Sequence, residues 1–288
     1  MSNDILTTIQ ENMSSFSKGQ KLIANFILNS YDKAAFMTAS KLGKTVHVSE
    51  STVVRFAAEL GFDGYPSMQK TLQEMIRNKL TSIQRIEVSN DRFGDQDIMS
   101  MVMQSDIEKI RATLEETDRE SFEEAVRDIA GAHRVYILGI RSARSLADFI
   151  SFYFRFMFDN VVSVDTSAMG EVFEQILNVR PGDVFVGLSF PRYSNRTVKA
   201  MRYAKDRGAK VIAITDAKTS PLCEVADVSL LAKSDMASFV DSLVAPLSLV
   251  NALIVAVSRM RQEKLEITLR SLETIWAEYD VYAHSGNN

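Results

Sequence analysis

The first 80 residues repeat apolar positions every three or four residues, which is the period of an α-helix that packs on one side. Ser17 is placed to cap the second of these helices. The apolar positions of the first two helices are Ile5, Ile9 and Met13, followed by Leu22, Ile23, Phe26 and Ile27. A last helix, with Met68, Leu72, Met75 and Ile76, continues to about Leu80. The pattern predicts a wholly helical segment over residues 1–80.

Residues 39–61 (ASKLGKTVHVSESTVVRFAAELG) indicate two short helices joined by a tight turn. The first helix covers residues 39–44. Ser49 then offers a side-chain oxygen to the free N–H groups of a second helix over residues 50–60, and Gly61 ends that helix. The arrangement is typical of a helix-turn-helix, although a helical hairpin within a larger bundle would have the same pattern.

The second helix of this pair has one apolar face and one polar face. Its inward positions, at helical spacing, are Val53, Phe56, Ala57 and Leu60. Ser51, Thr52 and Arg55 are left facing outward. Short hydroxyls and a long cation near the N-terminal half suit a recognition helix that enters a major groove.

The helical period disappears between residues 81 and 97, where polar residues dominate, and we interpret this stretch as a linker. After two further helical segments, short apolar runs alternate with amphipathic segments of helical length. The runs are residues 134–138, 161–164, 183–188, 210–215 and 227–231, with helices over 142–157 and 194–207 among the segments between them. This order predicts an α/β domain over residues 98–288, with a parallel sheet covered by helices on both faces.

Ligands of such sheets bind beyond the carboxyl ends of the strands, here at residues 139–143, 189–194 and 215–220. In the second of these loops Ser194 is placed to cap the next helix, so free N–H groups would face whatever occupies the loop. Arg192 and Arg196 would add charge-assisted hydrogen bonds to an anion. An ordinary capped helix after a strand is the alternative.

Two segments near the C-terminus are strongly apolar. Residues 243–257 are too few for a membrane span, and polar residues interrupt them, so we expect a buried helix. Residues 265–279 carry a single apolar stripe, which predicts packing on the sheet or on a second subunit.

Charge and cysteine content add little beyond this picture. The net charge is −4, but residues 1–80 carry nine Lys/Arg and seven Asp/Glu, so a slightly basic head precedes an acidic body. One cysteine, Cys223, excludes an intramolecular disulfide and a multi-cysteine metal site. The first residues do not show basic side chains followed by an apolar run. We therefore expect no signal peptide and a cytoplasmic protein.

The order of elements resembles the RpiR family of bacterial transcriptional regulators, which join a helix-turn-helix head to a sugar isomerase (SIS) domain that senses phosphosugars. In the head the resemblance rests on TASKLGKTVHVSESTVVRFAAELGFDGYPSMQ. In the body it rests on VYILGIRSARSLADF and VKAMRYAKDRGAKVIAITDAKTSPLCEVAD. It covers nearly the whole chain.

In that family the phosphosugar lies between a G-x-G-x-S loop and an S-x-S-G-x-T loop. Gly139 matches the first loop, where Arg141 replaces the second glycine and Ser142 stands one place before the usual serine. In the second loop Ser189 and Ser194 match as hydroxyls, whereas Arg192 replaces the glycine. Either the two arginines bind an anion with more or differently placed charge, or they fill the pocket and weaken phosphosugar binding. We favour the first interpretation.

A phosphosugar isomerase with an accessory helical domain is the rival prediction, with Glu171 or Glu174 as its general base. His47, His133 and His284 lie outside the predicted ligand loops, and the sequence has no nucleophile elbow, P-loop or metal-ligand cluster. We therefore predict no catalytic residue, no metal and no cofactor.

The resemblance implies a regulator that binds double-stranded DNA at inverted half-sites, as a homodimer or homotetramer, and responds to a small anionic metabolite. Its predicted DNA-binding residues are Lys41, Lys44, His47, Ser49, Ser51, Thr52 and Arg55. Its predicted effector-binding residues are Gly139, Arg141, Ser142, Ser189, Arg192 and Ser194.

Overall fold

The computed structural model describes residues 5–76, 81, 83–86, 97–164, 169–235 and 239–282. It divides into two compact units. The first comprises Met1–Met101 with Met236–Asp241, and the second comprises Val102–Asp235 with Ser242–Asn288.

The first unit is helical in the part that is described. Its helices are α1 (Ile5–Glu11), α2 (Lys18–Asn29), α3 (Tyr31–Ala34), α4 (Ala39–Thr45), α5 (Glu50–Glu59) and α6 (Tyr65–Ile76). Within the predicted linker, residues 83–86 are helical, and the buried Arg85 pairs with Asp241 of the same unit at 2.7 Å. The boundaries at residues 80 and 98 remain a prediction.

The start of α2 is fixed by a capping box. The Ser17 hydroxyl accepts from the backbone N–H of Gln20, and the Gln20 side chain accepts from the backbone N–H of Ser17. Ile23 and Ile27 then lie in the core with Phe56 of α5, all fully buried. Leu22, which we predicted on the same stripe, is 45% exposed because the buried face is centred on Ile23 and Ile27.

The turn between α4 and α5 requires two special backbone positions. A Cβ on the buried Gly43 would lie 2.8 Å from the carbonyl oxygen of Val48, so only glycine lets the turn fold back so closely on α4. His47 adopts a left-handed conformation with φ of 58°. α5 ends as predicted, because Gly61 has φ of +86°, which favours glycine.

The second unit contains five parallel strands surrounded by helices. The strands are β1 (Val135–Gly139), β2 (Val161–Ser163), β3 (Val184–Leu188), β4 (Lys210–Thr215) and β5 (Val228–Leu231). The helices are α7 (Ile98–Glu116), which begins in the first unit, α8 (Arg119–Gly131), α9 (Ala143–Phe154), α10 (Met169–Gln175), α11 (Asn195–Asp206), α12 (Val244–Met260) and α13 (Gln262–Glu278). This confirms the predicted fold class, and each predicted strand is present within one residue at either end.

The sheet has the order β2-β1-β3-β4-β5, with all neighbours parallel. Every residue of β1 and β3 is buried, because helices cover both faces of these central strands. One face packs against α8, α9 and α12, and the other packs against α10 and α11.

The two apolar C-terminal segments differ in burial. The helix α12 buries Leu253 and Val257 completely, which confirms the expected core helix. By contrast α13 contains no buried residue, although Leu265 packs against the core. No single helix of the described residues is long and apolar enough to cross a membrane, although the consecutive helices α12 and α13, bent by 98°, reach that length and composition together.

Candidate DNA-binding and effector sites

The N-terminus of α5 carries a cluster of hydroxyl groups. Ser49 accepts a hydrogen bond from the Thr52 backbone N–H at 3.2 Å, as predicted for the cap. Its oxygen also lies 2.8 Å from the hydroxyl oxygens of both Ser51 and Thr52. One turn further on, Arg55 donates from Nε to the Ser51 carbonyl oxygen at 3.3 Å. Three hydroxyls and a guanidinium thus share the outer side of this helix.

The faces of α5 agree with the sequence pattern. Val53, Phe56 and Ala57 are fully buried, whereas Ser51 and Arg55 are exposed and Thr52 is partly exposed. The other three predicted DNA-contacting residues, Lys41, Lys44 and His47, are exposed along the end of α4 and the turn. All seven residues therefore lie within one continuous helix-turn-helix.

The start of α4 is held by two side chains of α6. The carbonyl oxygen of Met37, one residue before the Thr38 cap, accepts from Tyr65 Oη at 2.7 Å and from Gln69 Nε2 at 2.8 Å. Burial raises the pKa of Tyr65 to about 12. The helix α6 thus fixes the point at which the helix-turn-helix begins.

The second candidate site lies at the topological switch point of the sheet. The strand β2 lies on one side of β1, and β3 lies on the other side of β1. The loops after β1 and β3 therefore start at neighbouring strand ends and diverge from there. Gly139 and Leu188 are partners in the register, which brings the loops that follow them to the same level. Six predicted effector residues belong to these two strand ends and loops.

The first loop turns sharply into α9. A Cβ on Gly139 would lie 2.3 Å from the carbonyl oxygen of Ala143, so this position accepts only glycine. Arg141 is exposed and has φ of 58°, a conformation that favours glycine. Ser142 precedes the first residue of α9, but its side chain makes no capping hydrogen bond. An exposed hydroxyl and an exposed guanidinium thus lie at this helix start.

In the second loop the hydroxyl oxygens of two serines accept hydrogen bonds from backbone N–H groups. Ser189 Oγ accepts from the Ser194 N–H at 3.0 Å, and Ser194 Oγ accepts from the Thr197 N–H at 3.3 Å. Because each hydroxyl also has one proton to donate, the arrangement leaves both protons for other acceptors. Arg192, between the two serines, is exposed with φ of 67°.

Residues from the end of β4 support this loop. The Thr215 hydroxyl lies 2.8 Å from the carbonyl oxygen of Ser189 and donates to it, and Tyr193 Oη donates to Asp216 Oδ1 at 2.8 Å. Thr215 and Asp216 are both buried. The sequence analysis placed residues 215–220 near the ligand, but the pairing of Tyr193 with Asp216 joins two segments whose contact no local pattern reveals.

A groove of about 250 Å³ lies on the α10 side of the first turn of α11. The described residues that line it are Val172, Phe173, Asn195, Arg196 and Lys199. It contains two cationic side chains but none of the six predicted effector residues, so it adjoins only the end of the second loop.

The residues considered for the rival isomerase lie on the surface of the second unit. Glu171 and Glu174 are exposed on α10. Among the described residues, no group of three His, Cys, Asp or Glu side chains is arranged to hold a metal ion.

Comparison with known families assigns both units. Residues 3–79 match the helix-turn-helix domain of the rpiR family, and residues 128–256 match the SIS domain. The chain belongs to the RpiR family of transcriptional regulators. It is a DNA-binding transcriptional regulator and not a sugar isomerase.

Relatives of this RpiR protein span most of its length. It is 24% identical over 280 residues to an uncharacterised HTH-type transcriptional regulator of Caldanaerobacter subterraneus, covering 94% of this chain and 95% of the relative. It is 26% identical over 234 residues to the regulator HexR of Escherichia coli, covering 79% of this chain and 77% of the relative.

Two solved structures have the same fold. The NanR protein of Vibrio vulnificus, in complex with ManNAc-6P, matches with a TM-score of 0.59 and 20% identity over 96% of this chain and 98% of NanR. The sugar isomerase domain of an RpiR transcription factor from Sphaerobacter thermophilus matches with a TM-score of 0.57 and 28% identity, covering 62% of this chain and 99% of that domain.

Proposed function

We propose that the SIS domain binds a small anionic metabolite, a phosphosugar or a related sugar acid, and that binding alters the affinity of the helix-turn-helix for its operator. The observation that carries the proposal is the pair of left-handed arginines, Arg141 and Arg192, on the two loops that diverge at the switch point. The protein would act in the cytoplasm, where its DNA lies.

The left-handed backbone gives a reason to connect the arginines with a ligand. A non-glycine residue in this conformation costs about 1–2 kcal/mol, and such residues cluster at functional sites. Each of the two loops holds one exposed arginine in this unfavourable conformation. An anion that both guanidinium groups contact best explains why both arginines are there. A phosphate would then accept from Ser142, Ser189 and Ser194, and the arginines would neutralise its charge or that of a carboxylate on the same molecule.

Thermal unfolding with a panel of phosphosugars and sugar acids tests this proposal. A ligand at one hundred times its dissociation constant adds about 2.7 kcal/mol to the stability of the folded protein, which is an easily measured shift. Arg192→Ala should abolish the shift, and Arg127→Ala, on the exposed surface of α8, should leave it unchanged. If no anionic metabolite stabilises the protein, the effector proposal is wrong.

We further propose that the regulator is a homodimer, or a dimer of dimers, whose two heads bind inverted half-sites. An aromatic surface on α9 and the turn after it supports a subunit interface. Its rings, which contact one another at centre distances of 5.0–6.3 Å, are Phe149, Phe152 and Tyr153 of α9 and Phe156 of the turn, and Phe152 is 56% exposed. An apolar groove of about 370 Å³ adjoins this surface, with Val244 and Leu247 on its α12 side. Exposed apolar surface of this kind marks an interface.

The proposed DNA contacts are tested with the upstream region of the protein's own gene. Arg55→Ala should weaken the complex in a gel-shift assay, by about 1–3 kcal/mol if the guanidinium contacts a base. Lys70→Ala is the matched control, since Lys70 is an exposed cation on α6, outside the helix-turn-helix. Equal affinity of the Arg55 variant and the wild type would overturn the recognition-helix assignment.

A further inference from the structure

The start of helix α2 lies directly against the start of the recognition helix. A Cβ built on Gly19 would lie 3.5 Å from Cγ2 of Thr52 and 3.6 Å from Cγ1 of Val48. Thr52 is one of the residues proposed to face DNA, and Val48 belongs to the turn before it. The first turn of α2 therefore lies beside the proposed DNA surface.

This position is rigidly held. The Phe16 and Phe56 rings pack with centres 5.0 Å apart, and both side chains are buried. The Gln20 side chain donates to Glu59 of α5 while it completes the capping box with Ser17. Contacts with the C-terminal half of α5 thus fix the first turn of α2 relative to the recognition helix.

Two exposed cations occupy this first turn, Lys18 and Lys21. They are the only charged residues between Glu11 and Asp32, so no neighbouring acid in the sequence neutralises them. Among the described residues, neither lysine side chain makes a hydrogen bond or an ion pair. Both ammonium groups are exposed, so an external anion can reach them.

We propose that the DNA interface extends beyond the helix-turn-helix to the start of α2, where Lys18 and Lys21 bind the phosphates that flank the bases read by α5. The proposal rests on DNA binding by α5. A lysine is a flexible point charge, so these contacts add affinity that does not depend on sequence and position the recognition helix over the groove.

The salt dependence of binding tests the proposal with the full-length protein and a random-sequence 40-base-pair duplex, because phosphate contacts need no operator. Each phosphate contact contributes about 0.9 to the slope of log affinity against log salt concentration. Lys18→Ala/Lys21→Ala should lower that slope by about 2 and reduce affinity by one to two orders of magnitude at roughly 0.1 M salt. Lys18→Glu/Lys21→Glu should lower the affinity further.

Lys70→Ala is again the matched control and should lower neither the slope nor the affinity. Circular dichroism and the thermal midpoint check that both double variants fold, which we expect because both positions are exposed. A slope unchanged in the double alanine variant, while the wild type binds, would overturn the extended interface and leave the recognition helix intact. Absence of wild-type binding to this duplex and to the upstream region of its own gene would overturn both.

Discussion

At the scale of single residues, the backbone conformation of two arginines is the most informative observation. The sequence analysis identified Arg141 and Arg192 by their departure from a glycine pattern, and both have positive φ. The loops have thus kept the conformation that glycine favours while acquiring a large cationic side chain. Since a strained conformation persists only where the surrounding structure enforces it, the loops themselves must be rigid.

Replacement of these arginines by glycine should therefore have opposite effects on stability and on ligand binding. Arg141→Gly and Arg192→Gly should each raise the free energy of unfolding by about 0.5–1 kcal/mol, because removal of the left-handed cost outweighs the greater entropy that glycine gives the unfolded chain. Both should reduce the thermal shift produced by the anionic effector. Urea unfolding and ligand-induced melting measure the two quantities.

The corresponding alanine variants separate strain from charge. Arg141→Ala and Arg192→Ala keep a Cβ at positive φ, so they should lose the ligand response without the gain in stability. A glycine variant that is less stable than the wild type would contradict the strain argument.

At the scale of elements, the helix-turn-helix depends on close packing at its turn. The buried Gly43 allows the Val48 carbonyl oxygen to approach to a distance that any Cβ would obstruct. No turn residue or helix cap predicts this contact, because it joins the middle of α4 to the residue before the Ser49 cap.

Gly43→Ala should displace α5 and weaken DNA binding by more than tenfold, because a Cβ at 2.8 Å from a backbone oxygen forces one element to move. The α/β unit does not contain this contact, so effector-induced stabilisation should persist. Gel-shift and thermal-shift assays on the same preparation distinguish the two effects, with Gly131→Ala as a control because its Cβ would meet no atom within 4 Å. Undiminished operator binding by the Gly43 variant would contradict the packing argument.

The contact between α6 and the start of α4 should respond to alkaline pH. An unfolded tyrosine loses its proton near pH 10, whereas Tyr65 in the folded protein keeps its proton until about pH 12. The stability due to this shift is fully present below pH 10 and is lost as pH rises from 10 to 12, by up to about 2–3 kcal/mol.

Urea unfolding of the wild type and Tyr65→Phe at several pH values measures this effect. Near pH 8 the wild type should be more stable by about 1 kcal/mol, because its hydroxyl donates to the Met37 carbonyl oxygen. Above pH 10 the difference should shrink and then reverse. A constant difference from pH 8 to pH 11 would contradict the assignment.

At the scale of the whole molecule, two apolar surfaces are candidates for the proposed subunit interface. The aromatic residues of α9 and of the turn after it form one. The other is the stripe on α13, where Ile275 is 47% exposed and Tyr279 is 70% exposed. The stripe was predicted to pack on the sheet or on a second subunit, and α13 buries none of its residues within one chain. The tight cluster of rings on α9 favours that helix as the dimer interface.

Phe152→Asp should convert the proposed dimer to a monomer, because it introduces a charge into an apolar interface. Sedimentation velocity measures the mass, and the operator affinity should fall with loss of the second head. Ile275→Asp tests the competing surface and should leave the dimer intact. Dissociation by Ile275→Asp alone would move the interface to α13.

Patterns of neighbouring residues were enough to identify the elements of this protein and its family. Helical period, the Ser17 and Ser49 caps and five apolar runs predicted the helices and strands, because caps and amphipathic faces act over a few residues. Only the tertiary structure decided which of these elements meet. The parallel register brings Gly139 level with Leu188, and the packing of α2 on α5 brings Gly19 to Thr52. Such contacts join residues far apart in the chain, so their geometry depends on the folded core that holds the elements together.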